Sequence, residues 1–297
     1  MKKVISYLLA GTLLVVVLLV GCSGAPGISH VYAFGDDFTN TDNCVNLLKD
    51  AIAQGNASES DLEPFENINW NGRLTNGPVA VEVMAEKLKL ELTNYAVCAA
   101  ASGEENLMFN DAGLVGQIDK FEAELNGEKA DPNALYFIEI GITDFYITER
   151  AAESEKVIAN IVTAVTRLAG LGAKHIMVGN SLDLNNYPGF KTYDYLAKGA
   201  EQFSTQMNTN LPGEMEKLTQ ELNIQIDVFD LTAVAKKIQS NPDQFGLTQL
   251  EDPCTQLPMD PGEICENPDQ YYYWGLYYLT RVVHRIMGEA MAEQLSQ

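Results

Sequence analysis

The chain has 297 residues, 46% of them hydrophobic, enough for a sizeable core in one large α/β domain or two small ones. A formal net charge of −22 sets the protein against polyanions, so nucleic-acid binding is excluded and anionic lipid headgroups repel it. Among five cysteines no Cys-x-x-Cys spacing argues for zinc; no metal and no cofactor is expected.

The leader comes first. Lys2 and Lys3 precede an uncharged, mostly apolar run over residues 4–20, then Gly21 and Cys22, the pattern of an export signal. Seventeen such residues are at the short limit for spanning a bilayer, which makes an uncleaved anchor the alternative. Leu19-Val20-Gly21-Cys22 resembles the bacterial lipobox, which implies cleavage before Cys22 and lipid attachment to it. The chain then divides into a signal peptide (1–21), a lipidated tether (22–29) and one folded domain (30–297) in a bacterial cell envelope. Loss of the two leader lysines takes the net charge from −22 to −24, so lipid has to supply the membrane attachment.

Residues 31–34, Val-Tyr-Ala-Phe, are β-forming and apolar and run into Gly35-Asp36-Asp37, a strand ending in a turn at the carboxyl edge of a sheet. Residues 43–54 read as a helix and residues 55–71 as polar loop. Asn76 is a candidate N-cap, with Pro78 in the first turn of a helix that buries Val79, Val83 and Leu88. A second strand is expected over 92–101. Leu114, Ile118, Phe121 and Leu125 then mark one face of a helix. Residues 134–140 read as a strand covered on both faces, followed by an amphipathic helix over 153–171 and a fourth strand over 174–179. Residues 195–222 are helical, with Pro212 expected to kink or break them. Residues 224–230 give a fifth strand and residues 280–295 the last helix. Alternation of strands and helices without a linker or repeat predicts one doubly wound α/β domain with a mainly parallel sheet.

Several stretches resemble the GDSL, or SGNH, family of lipases and esterases, over roughly residues 30–290. Phe34-Gly35-Asp36-Asp37 parallels the family's F-G-D-S, Gly72-Arg73-Leu74-Thr75-Asn76-Gly77-Pro78 its G-R-F-S-N-G-P, and Asn94-Tyr95-Ala96 its N-Y-A. Gly141-Ile142-Thr143-Asp144 stands where the family has G-x-N-D, and Asn180-Ser181-Leu182-Asp183-Leu184 is similar to N-L-P-D-L. The resemblance implies the three-layer, flavodoxin-like SGNH fold and an ester-hydrolase ancestry. It also places the site. The nucleophile position falls on Asp37, the oxyanion positions on Ala99 and Thr143, and the acid and base positions on Gly275 and Tyr278. None is the family's residue, so the expectation is a non-catalytic binding protein. The alternative is an esterase or lipase for lipid or carbohydrate esters with a rearranged site.

Of the histidines, His30 and His175 begin strands at the wrong edge, and a solvated or capped surface role is expected for His284. Asp36, Asp37 and Asp144 are expected to converge at the strand ends, as a divalent-metal site, as a carboxylate nucleophile at Asp37, or with Asp36 and Asp144 structural and Asp37 facing solvent. Asp36, Asp144, Asn180 and Trp274 are the candidate binding residues. Tyr271, Tyr272, Tyr273, Trp274, Tyr277 and Tyr278 form an aromatic cluster whose cleft-facing rings suit an acyl or glycan ligand. Cys254 and Cys265 flank a Pro-rich loop and are expected to pair; Cys44 and Cys98 are a second possible pair.

Overall fold

The computed structural model describes residues 27–258 and 262–297; the leader, Cys22 and the first residues of the tether lie outside them. Five strands, β1 (Val31–Gly35), β2 (Leu92–Asn94), β3 (Leu135–Glu139), β4 (His175–Gly179) and β5 (Gln225–Phe229), form one parallel sheet in the order β2-β1-β3-β4-β5. That is the doubly wound, flavodoxin-like order, with its switch point between β1 and β3, where the connections leave in opposite directions. The apolar runs become strands because both faces are covered: β3 is buried at all five positions.

The helices are α1 (Asn43–Ala53), α2 (Ala80–Leu88), α3 (Leu114–Glu124), α4 (Ile142–Thr148), α5 (Glu153–Leu171), α6 (Asp194–Leu222), α7 (Leu231–Ser240) and α8 (Arg281–Leu295). Helix α8 packs against α2 and α7, while α5 packs against α3, α4 and α6, giving one helical layer on each face of the sheet. A small parallel pair, β6 (Gln249–Pro253) and β7 (Tyr271–Tyr273), lies outside the main sheet. Among the described residues no helix is long and apolar enough to cross a membrane.

Four expectations are corrected. The second strand stops at Asn94, not at 101, because the Asn94 side chain accepts the Ala96 N–H and turns the chain off the ladder. Residues 55–71 are not plain loop but hold short helical turns, Glu59–Leu62 and Pro64–Ile68, which bury Leu62 and Phe65. Asn76 does not cap α2, which starts at Ala80; its Oδ1 accepts the N–H of Arg281 and so caps α8. Helix α6 runs through Pro212 without a break, since buried Leu211 and Met215 hold it to the core on both sides of the missing N–H.

Both cysteine pairs are disulfides, Cys44–Cys98 and Cys254–Cys265. The first anchors a satellite core of Val45, Leu48, Leu62, Phe65 and Leu74 beside the carboxyl edge of β1. That satellite forms one wall of the cleft described next.

Candidate functional site

Gly35 ends β1 at φ +153°, and a Cβ there would lie 2.1 Å from the Glu139 carbonyl oxygen. Only glycine lets β1 run this close to β3 and then turn. Gln117 fixes the turn, accepting the Gly35 N–H and donating to its carbonyl, both at 2.8 Å. Asp36 and Asp37 are thereby delivered to the switch point, opposite the end of β3.

Asp36 is fully buried and accepts N–H groups from Phe38 and Gly141, each at 3.2 Å. It is hydrogen-bonded to Glu139, the last residue of β3. Burial pushes both carboxyls up, Glu139 to about 8, and each of the two is pushed further by Asp37. Two backbone donors oppose the rise at Asp36 and the bond to Asp36 opposes it at Glu139, yet burial prevails at both, so the pair holds a shared proton at neutral pH. Glu139 Oε2 has no partner. Glu139 is the lone acid in an otherwise apolar run over 134–140, the signal by which the sequence marks it.

Asp37 faces the cleft described below rather than open surface. It is half-buried, and its Oδ1 accepts the N–H of Ala99 at 2.9 Å; burial raises its carboxyl to about 6, with the Ala99 bond opposing. Ala99 holds a left-handed φ of +58°, which aims that N–H at the turn after β1. Asp144 does not join the other carboxylates. Ser102 holds it through its N–H at 2.9 Å and its hydroxyl at 2.7 Å, and burial raises it to about 6. Among the described residues no group of three His, Cys, Asp or Glu side chains is placed to hold a metal ion.

His284 is also not on the surface. It is 2% exposed, packs on the Phe38 ring, and its Nδ1 accepts the N–H of Ala80 at 3.2 Å. That bond puts the imidazole hydrogen on Nε2, and burial drives protonation down to about 3. His284 therefore offers a donor, not a base, to its surroundings. His30 and His175 sit at the amino ends of β1 and β4, bonded to Thr93 and Gln225.

The segment after β7 turns back on itself, the Tyr278 carbonyl accepting the Trp274 N–H at 2.8 Å. Gly275 is enclosed there: an added Cβ would meet the Leu257 carbonyl oxygen and Tyr278 Cδ2, each at 2.8 Å. Burial holds the Tyr278 phenol far above its ordinary value, with Asp37 adding to the effect, so it stays protonated. Tyr272, Tyr273 and Trp274 are core; the Trp274 indole donates to Asn69 at 2.7 Å. Asn180 is structural in the same sense, donating to Asp230 at 2.8 Å.

Two spaces meet at Asp37. One is a small cavity of about 30 Å³ bordered by Asp37, Glu139, Ser181, Tyr187, Tyr278 and His284, room for water and little else. The other is a cleft of about 580 Å³ walled by Leu48, Phe65, Leu107, Met108, Tyr146 and Tyr277, with Asp37, Ala99 and Thr143 at its polar end. Its size and mostly apolar lining are those of a small-molecule site. The site positions at Asp37, Ala99, Thr143 and Tyr278 thus come together on one cleft, whereas Asp36, Asp144, Asn180 and Trp274 do not line it.

No protein-family model matches the chain. It is 26% identical over 283 residues to the thermolabile hemolysin of Vibrio parahaemolyticus, covering 90% of this chain and 63% of that protein, so it spans under two thirds of that relative's length. It is 23% identical over 324 residues to a GDSL esterase/lipase of Arabidopsis thaliana, covering 88% of this chain and 81% of that protein. Among solved structures, a lipolytic G-D-S-L family protein from Veillonella parvula aligns with a TM-score of 0.47 at 15% identity, over 89% and 97% of the two chains. The carbohydrate acetylesterase Est24 from Sinorhizobium meliloti aligns at 0.48 and 13%, over 90% and 97%.

Proposed function

We propose that this chain is an ester-hydrolase-like GDSL/SGNH protein that has kept the family's cleft and lost its ester chemistry, a lipid-anchored binding pseudoenzyme. Acyl transfer needs an activated nucleophile, a base able to take its proton, and free donors for the oxyanion. The observation that carries the reading is the Asp37–Ala99 bond. A carboxylate stands at the nucleophile position and occupies the backbone N–H that would otherwise receive an oxyanion. The nearby imidazole carries its hydrogen on the cavity side and resists protonation, and the Tyr278 phenol holds its proton. Among the described residues at the cleft's polar end, the groups that take a proton from a hydroxyl at neutral pH are carboxylates.

The second reading, a rearranged hydrolase, has one observation on its side. Asp37 and the protonated Glu139 border the same water-sized cavity, so an acid and a base are both present. Fluorophosphonate labelling followed by peptide mass spectrometry separates part of this question. The pseudoenzyme reading expects no adduct on any serine; an adduct at Ser60 or Ser181, which line the two spaces, overturns it.

Anchoring through Cys22 in a bacterial envelope is part of the same proposal. Ser29 is fastened at the amino edge of the sheet, to Asn133 and Asp131, and the cleft opens at the carboxyl edge. A tether over 22–29 reaches at most roughly 28 Å fully extended. The cleft would then face away from the bilayer that holds the protein. Palmitate incorporation that survives Cys22→Ala removes this part of the reading.

A further inference from the structure

The reading of the cleft as a binding site leaves open what enters it, and the distribution of charge along its walls narrows the answer. The long walls are apolar and aromatic: Leu48, Phe65, Leu107, Met108, Tyr146 and Tyr277. The ionisable carboxyls among its described lining residues are Asp37 at the inner end and Asp61, and no described lining residue is a lysine or arginine. A fatty-acid carboxylate or a phosphate would meet these acids without a cation to offset them. An ester carbonyl would find the Ala99 N–H already engaged by Asp37. The groups that the inner end can satisfy are donors, and best a positively charged one. Asp37 Oδ1 is held by Ala99, which leaves Oδ2 for the ligand. Phenol rings of Tyr146, Tyr277 and Tyr278 border the same space and attract a cation through their faces.

We propose that the cleft takes an aliphatic ammonium, a chain filling the apolar walls with its cationic head against Asp37. The walls supply most of the affinity by removing the chain from water, and the carboxylate supplies the choice of head group. An acidic protein attracts cations everywhere, so selectivity has to trace to one residue to count. Asp37→Asn is nearly isosteric and keeps an amide oxygen for the Ala99 N–H, so the cleft's shape is preserved while its charge is removed.

The purified full chain is used for the test. Isothermal titration at pH 7.5 compares decylammonium, decanol and decanoate, each below its micelle concentration. The expected order is decylammonium, then decanol, then decanoate, with decylammonium preferred over decanol by about tenfold, the yield of one charge-assisted hydrogen bond. Asp37→Asn should erase that preference by weakening decylammonium about tenfold, and Glu128→Gln, an exposed acid outside the cleft, should keep it. Equal binding of all three heads, or a preference that survives Asp37→Asn, overturns the ammonium assignment and leaves the cleft reading standing. Binding of none of the three defeats the cleft reading itself.

Discussion

Glu139→Gln tests the buried acid pair with a sign that depends on pH. Glu139 is 8% exposed, hydrogen-bonded to Asp36, and its carboxyl is raised from 4.5 to about 8 by burial. A carboxyl raised on folding keeps its proton in the native state after the unfolded chain has released it. Its cost to stability is absent below pH 4.5, grows as pH rises toward 8, and is complete above that. At about 1.36 kcal/mol per pH unit the full span is roughly 5 kcal/mol, an upper figure because Asp36 shares the proton. Glutamine keeps a donor for Asp36 and cannot ionise. The variant should therefore match the parent at pH 4.5 and exceed it by about 2–3 kcal/mol at pH 8. Urea unfolding with disulfides intact, at both pH values, reads this directly. A difference of the same size at both pH values, or a variant weaker than the parent at pH 8, refutes the shared-proton arrangement.

Other outcomes follow from single contacts. Ala99→Gly should raise stability by about 0.5 kcal/mol in thermal melts, because the native φ of +58° costs alanine more than glycine. Gly275→Asp should lower it by about 3 kcal/mol or more, since the new Cβ runs into the Leu257 carbonyl; placing an acid at this position therefore needs the loop rebuilt. Replacing Cys44 and Cys98 with serine opens a separation of 54 residues and should cost about 4 kcal/mol, with weaker decanol binding because the satellite core walls the cleft. Decylammonium binding should fall as pH drops below about 6, where Asp37 gains a proton, and Asp37→Asn should flatten the profile. The titratable groups around Asp37 are Asp36 beside it and, lining the same two spaces, Glu139 from β3, Tyr146 from α4, Tyr277 and Tyr278 from the loop after β7, His284 from α8, Tyr187 and Asp61.

The sheet was legible because a strand covered on both faces must be apolar throughout, and residues 31–34 and 134–140 are. Ends were harder: the second strand stops early through a side-chain bond from Asn94 that no periodicity records. The site was legible as positions and not as contacts. Asp37, Ala99, Thr143 and Tyr278 do share a cleft, yet the bond between Asp37 and Ala99 depends on a left-handed alanine that composition does not reveal. His284 carries a signal of burial in its spacing, against the surface role expected of it. With Met287, Gly288 and Met291 it forms an i, i+3, i+4, i+7 stripe, and all four are buried against the core. Glu139 was visible in the same way, as an acid where burial allows none without a partner.

A binding role for the cleft requires that no proton-accepting machinery for acyl transfer operates around Asp37. Turnover of p-nitrophenyl acetate, p-nitrophenyl decanoate and a phospholipid by the purified chain measures that most directly, with Asp37→Ala run beside it. Rates equal to buffer alone for both proteins are expected. Hydrolysis above that background by the parent, abolished in Asp37→Ala, would mean that the carboxylate is the reacting group and that the cleft is an active site.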